Sequence, residues 1–278
     1  MEKQRAFKLT LAYKGTKYCG WQKQAAEKTV PSVQETLEQA AEKVLTHKNF
    51  SLHGSGRTDS GVHARGQVAH LKTTTELPAE TMMKALNAYL PEDIRVLSSE
   101  ERASNFHAQL HVTQKTYRYF ILQSTEKSYQ TNWPFLRAYT WFIPHELDVP
   151  TMKNALADLL GEHDFKSFQN TGTIVPDTVR EILEAQLIVH EKTSTDLPWM
   201  PPQNLPYRLL EIRITGTGFL KQMVRTIVGT LVDMGRGKIP NANMQKILSE
   251  KNRSKSGITA PARALFLDHV VYDTNRDR

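Results

Sequence analysis

The stretch GSGRTDSGVHARGQVAHLKT, Gly54 to Thr73, is the densest signal in the chain. Its first part, Gly54 to Gly66, reads as a turn-rich loop. Glycines at Gly54, Gly56 and Gly61 permit backbone angles that other residues avoid, and let a ligand approach the main chain. Its second part, GQVAHLKT, reads as a strand. Working outward, FKLTLAY (Phe7 to Tyr13) alternates apolar and polar residues and reads as a half-buried strand. Pro31 to His47 reads as an amphipathic helix whose start carries an S-x-x-E capping box, Ser32 and Glu35. Beyond the loop we expect a helix over Ala79–Leu90 and strands at Ile94–Leu97, Tyr117–Gln123 and Ala138–Ile143.

The second half has the same style without repeating the sequence. Val149–Leu160 reads as a helix stopped by Gly161, and Thr178–His190 and Tyr207–Thr215 as strands. The proline-rich DLPWMPPQNLP between them, around Trp199, is a loop. Phe219–Met234 has the strongest helical pattern, followed by a shorter helix at Asn243–Ser249 and a closing strand at Phe266–Tyr272. Helices and strands are mixed and hairpin-like strand pairs recur. That pattern argues for an α+β fold with mainly antiparallel sheet, in two parts. A length of 278 residues agrees with about two domains.

Composition narrows the function classes. Lys and Arg number 36 against 29 Asp and Glu, a net charge of +7. Residues 205–278 hold 13 basic and 6 acidic side chains, and 13 − 6 = +7, so the excess sits in that segment. Such a segment suits a phosphate-rich partner as well as it suits plain solubility. One cysteine, Cys19, excludes an internal disulfide and a thiolate-built zinc cluster, and fits a reducing cytosol. No apolar run approaches the ~20 residues of a membrane span. The opening MEKQRAFKLTLAYKG is polar and then alternating, unlike a signal peptide. We therefore expect a soluble cytoplasmic protein.

Three segments can carry chemistry. The loop brings Asp59 and Arg57 within two residues of each other on a glycine-rich backbone; as a plain surface turn, Asp59 would simply accept backbone hydrogen bonds. It lacks the Gly-Lys-Ser/Thr of a Walker phosphate loop, and no G-x-S-x-G elbow occurs. KTYRY, Lys115 to Tyr119, puts Tyr117 and Tyr119 on one strand face, either to stack on a base or to fill the core. GFLKQMVRTIVGTL, Gly218 to Leu231, forms one apolar face from Phe219, Leu220, Met223, Val224, Ile227, Val228 and Leu231. Arg225 falls on the other side, where periodicity alone reads it as solvated. The ten histidines show no metal-ligand spacing, and no metal is expected.

In this order the segments resemble the tRNA pseudouridine synthase A family. YKGTKYCGWQKQ (Tyr13–Gln24), GSGRTDSGVHARGQV, NFHAQLHVTQKTYRYFI (Asn105–Ile121), GEHDFKSF (Gly161–Phe168), GFLKQMVRTIVGTL and TAPARALFL (Thr259–Leu267) carry the resemblance, which runs from about residue 7 to residue 272. Gln109 stands where the family usually has arginine after FHA, and Ala264 where it has glycine before LFL. The resemblance implies two similar α/β subdomains forming a central cleft, residues 1–110 with the catalytic loop and residues 111–278 completing the cleft. It implies isomerisation of uridine to pseudouridine at positions 38, 39 and 40 of the anticodon stem-loop of tRNA, by a homodimer without a cofactor. Asp59 matches the nucleophile, a role open to an ionised carboxylate. Arg225 matches the residue beside that aspartate, Tyr117 the tyrosine that stacks on the base, and Arg57 a residue that helps evict the base from its stack. Leu220 and Phe219 match the pocket wall.

Other readings fit the residues alone. A non-catalytic RNA-binding module would share the charge and the aromatics without needing Asp59. A phosphate-ester hydrolase working through the loop would need a divalent metal, for which the sequence offers no cluster.

Overall fold

The computed structural model describes residues 4–23, 30–125, 134–173, 175–190, 207–239 and 243–273. The proline-rich stretch around Trp199 lies outside them. In chain order the first elements are β1 (Arg5–Tyr13), α1 (Val33–Leu45), β2 (Ser51–Gly54), β3 (His63–Thr73), α2 (Ala79–Tyr89), β4 (Ile94–Arg102) and β5 (Val112–Gln123). There follow α3 (Pro134–Arg137), β6 (Trp141–Ile143), α4 (Val149–Ala157), β7 (Gly161–Asp164), β8 (Val179–His190) and β9 (Arg208–Gly216). The last are α5 (Met223–Gly235), α6 (Met244–Glu250) and β10 (Leu265–Tyr272). This is the expected α+β class with mostly antiparallel strands. The chain divides into two compact units, Met1–Lys115 with Phe266–Arg278, and Thr116–Leu265.

In the first unit the strand order is β4-β1-β3-β10. The alternation read in FKLTLAY is real: Phe7, Leu9, Leu11 and Tyr13 are buried. β1 is antiparallel to β3, with Phe7 opposite Leu71 and Leu9 opposite Ala69, and antiparallel to β4 on its other side. α1 starts where the capping box put it. The Ser32 hydroxyl accepts from the Glu35 amide at 3.1 Å, meeting one of the helix's unpaired donors. Its apolar stripe of Val33, Leu37, Ala40, Ala41 and Leu45 is buried, each large side chain being worth about 1.5–3 kcal/mol.

β3 is the strand that matters for the loop, because two strands share one of its edges. β2 pairs antiparallel with its far end, Gly54 opposite Ala69. β10 pairs parallel with its near end, Phe266 opposite His63 and Leu267 opposite Ala64. Residues 55–62 therefore leave β2 and re-enter β3 several residues below the point where the hairpin would otherwise close.

In the second unit the order is β5-β9-β8-β7, and β6 runs parallel to β5. β8 and β9 are antiparallel, Leu187 opposite Ile212. α5 starts at Met223, four residues after the start that periodicity gives, because Gln222 takes a left-handed backbone at φ 61° that a helix cannot include. Phe219 and Leu220 thus lie in the turn before the helix. α5 is also buried on nearly every side. The residues on what periodicity makes its polar flank, Thr226, Gly229, Thr230 and Asp233, are buried as well. The segment Gly257–Ala260 covers that side, its Gly257 amide donating to Thr230 Oγ1 at 2.9 Å and its Ala260 amide to the Arg225 carbonyl at 3.1 Å.

Candidate active site

The loop from Gly54 to Ala64 is fixed from one side by the opening motif. The Trp21 amide donates to the Thr58 carbonyl at 3.1 Å, and the Tyr13 hydroxyl lies 2.8 Å from Thr58 Oγ1. The Gly61 amide and the Ser60 hydroxyl both donate to the Tyr18 carbonyl, at 3.3 and 3.2 Å. Tyr18 is itself held by its hydroxyl donating to Asp93 Oδ1 at 2.6 Å. At the foot of the loop the buried Ser55 hydroxyl donates to Gln67 Oε1 at 2.6 Å, and the Gln67 amide nitrogen returns a bond to the Gly56 carbonyl. Asp59 accepts the Val62 amide through its own carbonyl, closing a tight turn with Gly61 at φ 79°. The backbone on both sides of Asp59 is thus tied down. Its side chain is half-exposed and that of Arg57 exposed. The neighbouring Gly20 is required: at φ 108°, a β-carbon there would stand 2.5 Å from the Thr58 carbonyl oxygen.

In the second unit, Tyr117 sits on β5, buried, with its ring edge-on to Phe219 at 5.0 Å between centroids. Leu220 is buried beside this pair's turn, and its amide points at the Met223 sulfur at 3.5 Å. So Tyr117 and Phe219 come together, with Leu220 the next residue in the chain. Tyr119 takes its bland reading: it is fully buried, its hydroxyl donates to the Pro261 carbonyl at 2.9 Å, and burial pushes its phenol up. Arg225 is not solvated but half-buried, its Nε donating to the Ala260 carbonyl at 2.8 Å, which fixes the plane of the guanidinium.

The other face of KTYRY holds an ion network. Glu211 has no exposed side-chain surface and accepts two bonds from Arg118, at 2.7 and 2.9 Å, with Arg213 and His190 at 3.0 and 2.8 Å. Burial acts to raise its pKa, but Arg118, His190 and Arg213 outweigh it and hold the carboxyl down to about 2. Among the described residues no group of three or more His, Cys, Asp or Glu is placed to hold a metal ion. No described helix is long and apolar enough to cross a membrane.

The family model described as tRNA pseudouridine synthase matches residues 10–109 and 155–273. The chain belongs to the tRNA pseudouridine synthase family. A tRNA pseudouridine synthase A of Anoxybacillus flavithermus is 40% identical over 269 residues, covering 97% of this chain and 99% of its own. A tRNA pseudouridine synthase A 2 of Clostridium perfringens is also 40% identical, covering 96% of this chain and all of its own. Among solved structures, an H/ACA RNP bound to a substrate RNA containing 2'-deoxyuridine matches with a TM-score of 0.29 and 10% identity, over 70% of this chain and 37% of that one. That likeness is too slight to carry an argument.

Within this synthase the two departures from the family pattern are accommodated. Ala264 has no left-handed backbone and is fully buried, so its methyl group packs where glycine usually leaves space. Gln109 is exposed, its amide donating to His107 Nδ1 at 3.2 Å. One residue at the loop escaped the sequence reading. Lys115, the first letter of KTYRY, brings its Nζ to 2.6 Å from the place a β-carbon on Gly56 would take. Alternation put it on the same face as Tyr117, and that was the available signal.

Proposed function

We propose that this chain converts uridine to pseudouridine at positions 38, 39 and 40 in the anticodon stem-loop of tRNA, with Asp59 as the nucleophile. The observation that carries the reading is a half-exposed carboxylate on a glycine-rich loop whose backbone is tied on both sides, in a chain matched over its length by the synthase family. Substrate and product contain the same atoms. The N1–C1′ bond breaks, the uracil turns, and C5 bonds to C1′, losing its proton while N1 gains one. Electrons balance without an oxidant, so nothing in the reaction calls for a redox cofactor. Attack by the Asp59 carboxylate splits the exchange into two easier steps; both C1′ of the sugar and C6 of the base are open to it.

The remaining roles belong to the same proposal. Tyr117 stacks on the target base, with Phe219 and Leu220 as the apolar wall that keeps water from the intermediate. Arg57, exposed at the loop, fills the stack that the base vacates, offsetting part of the few kcal/mol that flipping costs. Arg225 presents a planar guanidinium to the reacting carboxylate, where a fork of two donors orients it. The enzyme works as a homodimer in the cytoplasm.

The test uses the full chain and a tRNA transcript, with pseudouridines mapped by position. Wild type should modify the three anticodon-arm uridines. Asp59→Asn should keep its melting temperature and tRNA affinity while turnover falls by about a thousandfold or more. Turnover within tenfold of wild type would remove Asp59 from the chemistry, and modification elsewhere in the tRNA would overturn the positions.

A further inference from the structure

The loop that carries Asp59 is overlooked by a cation that none of these roles uses. Lys115 stands on β5 within the first unit, and its side chain crosses to Gly56. Its Nζ is 2.6 Å and its Cε 3.6 Å from where the β-carbon of a larger residue at 56 would be. The ammonium therefore occupies the room that any other side chain at that position would fill. The residue is half-buried, and among the described residues its ammonium has neither a hydrogen bond nor an ion pair.

An ammonium drawn partly out of water with no partner among the described residues carries a standing penalty. Burial alone brings its pKa down from 10.5 to about 8. The titratable groups on the loop that carries Gly56, on β3 that follows it and on β10, the strand beside β5, include Arg57, Asp59, His63, Arg65, Asp268 and His269. None of them contributes to that shift, so among the described residues no carboxylate offsets the desolvation. The partner that does so must come from the substrate. An RNA offers neutral bases, neutral hydroxyls and one kind of anion, its phosphodiesters. A lysine ammonium is a compact point charge suited to such an oxygen, and a glycine beside it lets the nucleotide backbone come close.

We propose that Lys115 is a substrate-positioning residue whose ammonium holds a phosphodiester flanking the target uridine while that nucleotide lies on the Gly54–Ala64 loop. This rests on the reading of that loop as the reacting one. It assigns the loop a second task, seating the sugar-phosphate chain as well as supplying the carboxylate.

The experiment compares wild type with Lys115→Met, which keeps the aliphatic packing and loses the charge, in steady-state kinetics on tRNA from pH 6.5 to 9. Binding a phosphate raises the lysine pKa above its value in the free enzyme. Binding is therefore strongest while the ammonium is already protonated, and weakens as pH rises through about 8. Wild-type KM should be flat to about pH 7.5 and then rise roughly fourfold by pH 9, the limit that linkage sets for a tenfold contribution of the ammonium. Lys115→Met should show a KM raised about tenfold at pH 7, kcat within about threefold, and no rise attributable to the lysine. Ionisation of the RNA itself is common to both proteins and cancels in the ratio of their KM values.

A second arm works even if that variant fails to fold. RNA with a neutral methylphosphonate at the linkage flanking the target uridine should raise wild-type KM by a similar factor and remove the rise that the lysine causes, leaving only that from the RNA itself. A folded Lys115→Met with wild-type KM, a wild-type KM flat to pH 9, or a rise in KM with pH as large on the methylphosphonate RNA as on the parent RNA would each overturn the inference. Asp59→Asn run alongside separates the two levels. If it remains active, the loop reading fails and takes the lysine with it. If it is inactive while Lys115→Met behaves as wild type, the lysine inference alone fails.

Discussion

Consider Gly20→Ala, a change outside the loop that should act on catalysis through it. The new β-carbon would stand 2.5 Å from the Thr58 carbonyl oxygen and 3.2 Å from the Asp59 carbonyl carbon. A relaxed carbon–oxygen contact begins near about 3.3 Å, so the Thr58–Asp59 peptide must withdraw by roughly 0.8 Å. Gly20 cannot yield instead, because its carbonyl accepts the Val33 amide at 3.0 Å and the next amide, of Trp21, is bonded to that same Thr58 oxygen at 3.1 Å. The left-handed backbone at φ 108° adds about 1–2 kcal/mol for a residue with a β-carbon, and overpacking adds about 1–3 kcal/mol. At ~2 °C per kcal/mol for a chain of this size, the melting temperature should fall by roughly 4–10 °C. If Asp59 is the nucleophile proposed above, a misplacement approaching 1 Å there costs up to about a hundredfold in rate. Single-turnover pseudouridine formation should thus slow by roughly 30- to 100-fold, with tRNA affinity little changed. Gly161→Ala is the control. Its φ is 91° but a β-carbon there meets nothing within 4 Å, so it should lose stability through backbone strain and keep its rate. If Gly20→Ala lost stability yet reacted within threefold of wild type, the link from Gly20 through Thr58 to Asp59 would be wrong.

Three further outcomes follow from other parts of the molecule. Arg225→Lys keeps the charge but loses the planar fork and the Nε bond to Ala260; kcat should drop by about tenfold or more with tRNA affinity retained, and an unchanged kcat would count against its role. Glu211→Gln should destabilise by about 3–5 kcal/mol, because it breaks a buried charge cluster from one side, and a melting-temperature change under 2 °C would refute that. Since the folded Glu211 carboxyl lies near 2 against an ordinary 4.5, its stabilisation is present above pH 4.5 and is lost as pH falls towards 2, so wild type should lose more stability than Glu211→Gln over that window in acid titration. Affinity for tRNA should weaken by about tenfold or more between 50 and 200 mM salt through counterion release, and an affinity indifferent to salt would count against phosphate docking by the basic segment.

The sequence made most elements legible because their information is local. The alternation of β1, the capping serine of α1 and the glycine-rich loop each announce themselves within a few residues. What stayed hidden depends on segments far away in the chain. Periodicity described α5 as having one polar side because it counts residue types; it has no view of Gly257–Ala260 lying across that side, which is what buries Thr226 and Thr230 and ties Arg225 to a carbonyl. The start of α5 was misread for another reason: Gln222 is an ordinary helix former, and its left-handed backbone leaves no mark in hydropathy. Asp59 and Arg57 were visible as chemistry on a permissive backbone. Lys115 was not, because its meaning lies in the space left by Gly56, some 60 residues earlier in the chain.

The pairing of β10 with the near end of β3 has a consequence for biosynthesis. His63 and Ala64 emerge early from the ribosome, while Phe266 and Leu267 follow roughly 200 residues later. At ~5–20 residues per second, that edge of β3 waits about 10–40 seconds for its neighbour. During this interval the exit of the Asp59 loop lacks its support, and a strand edge is open to foreign pairing. A nascent chain therefore completes the support of this loop only once Phe266 and Leu267 have emerged, and the hazard of misassembly is concentrated in the wait before them.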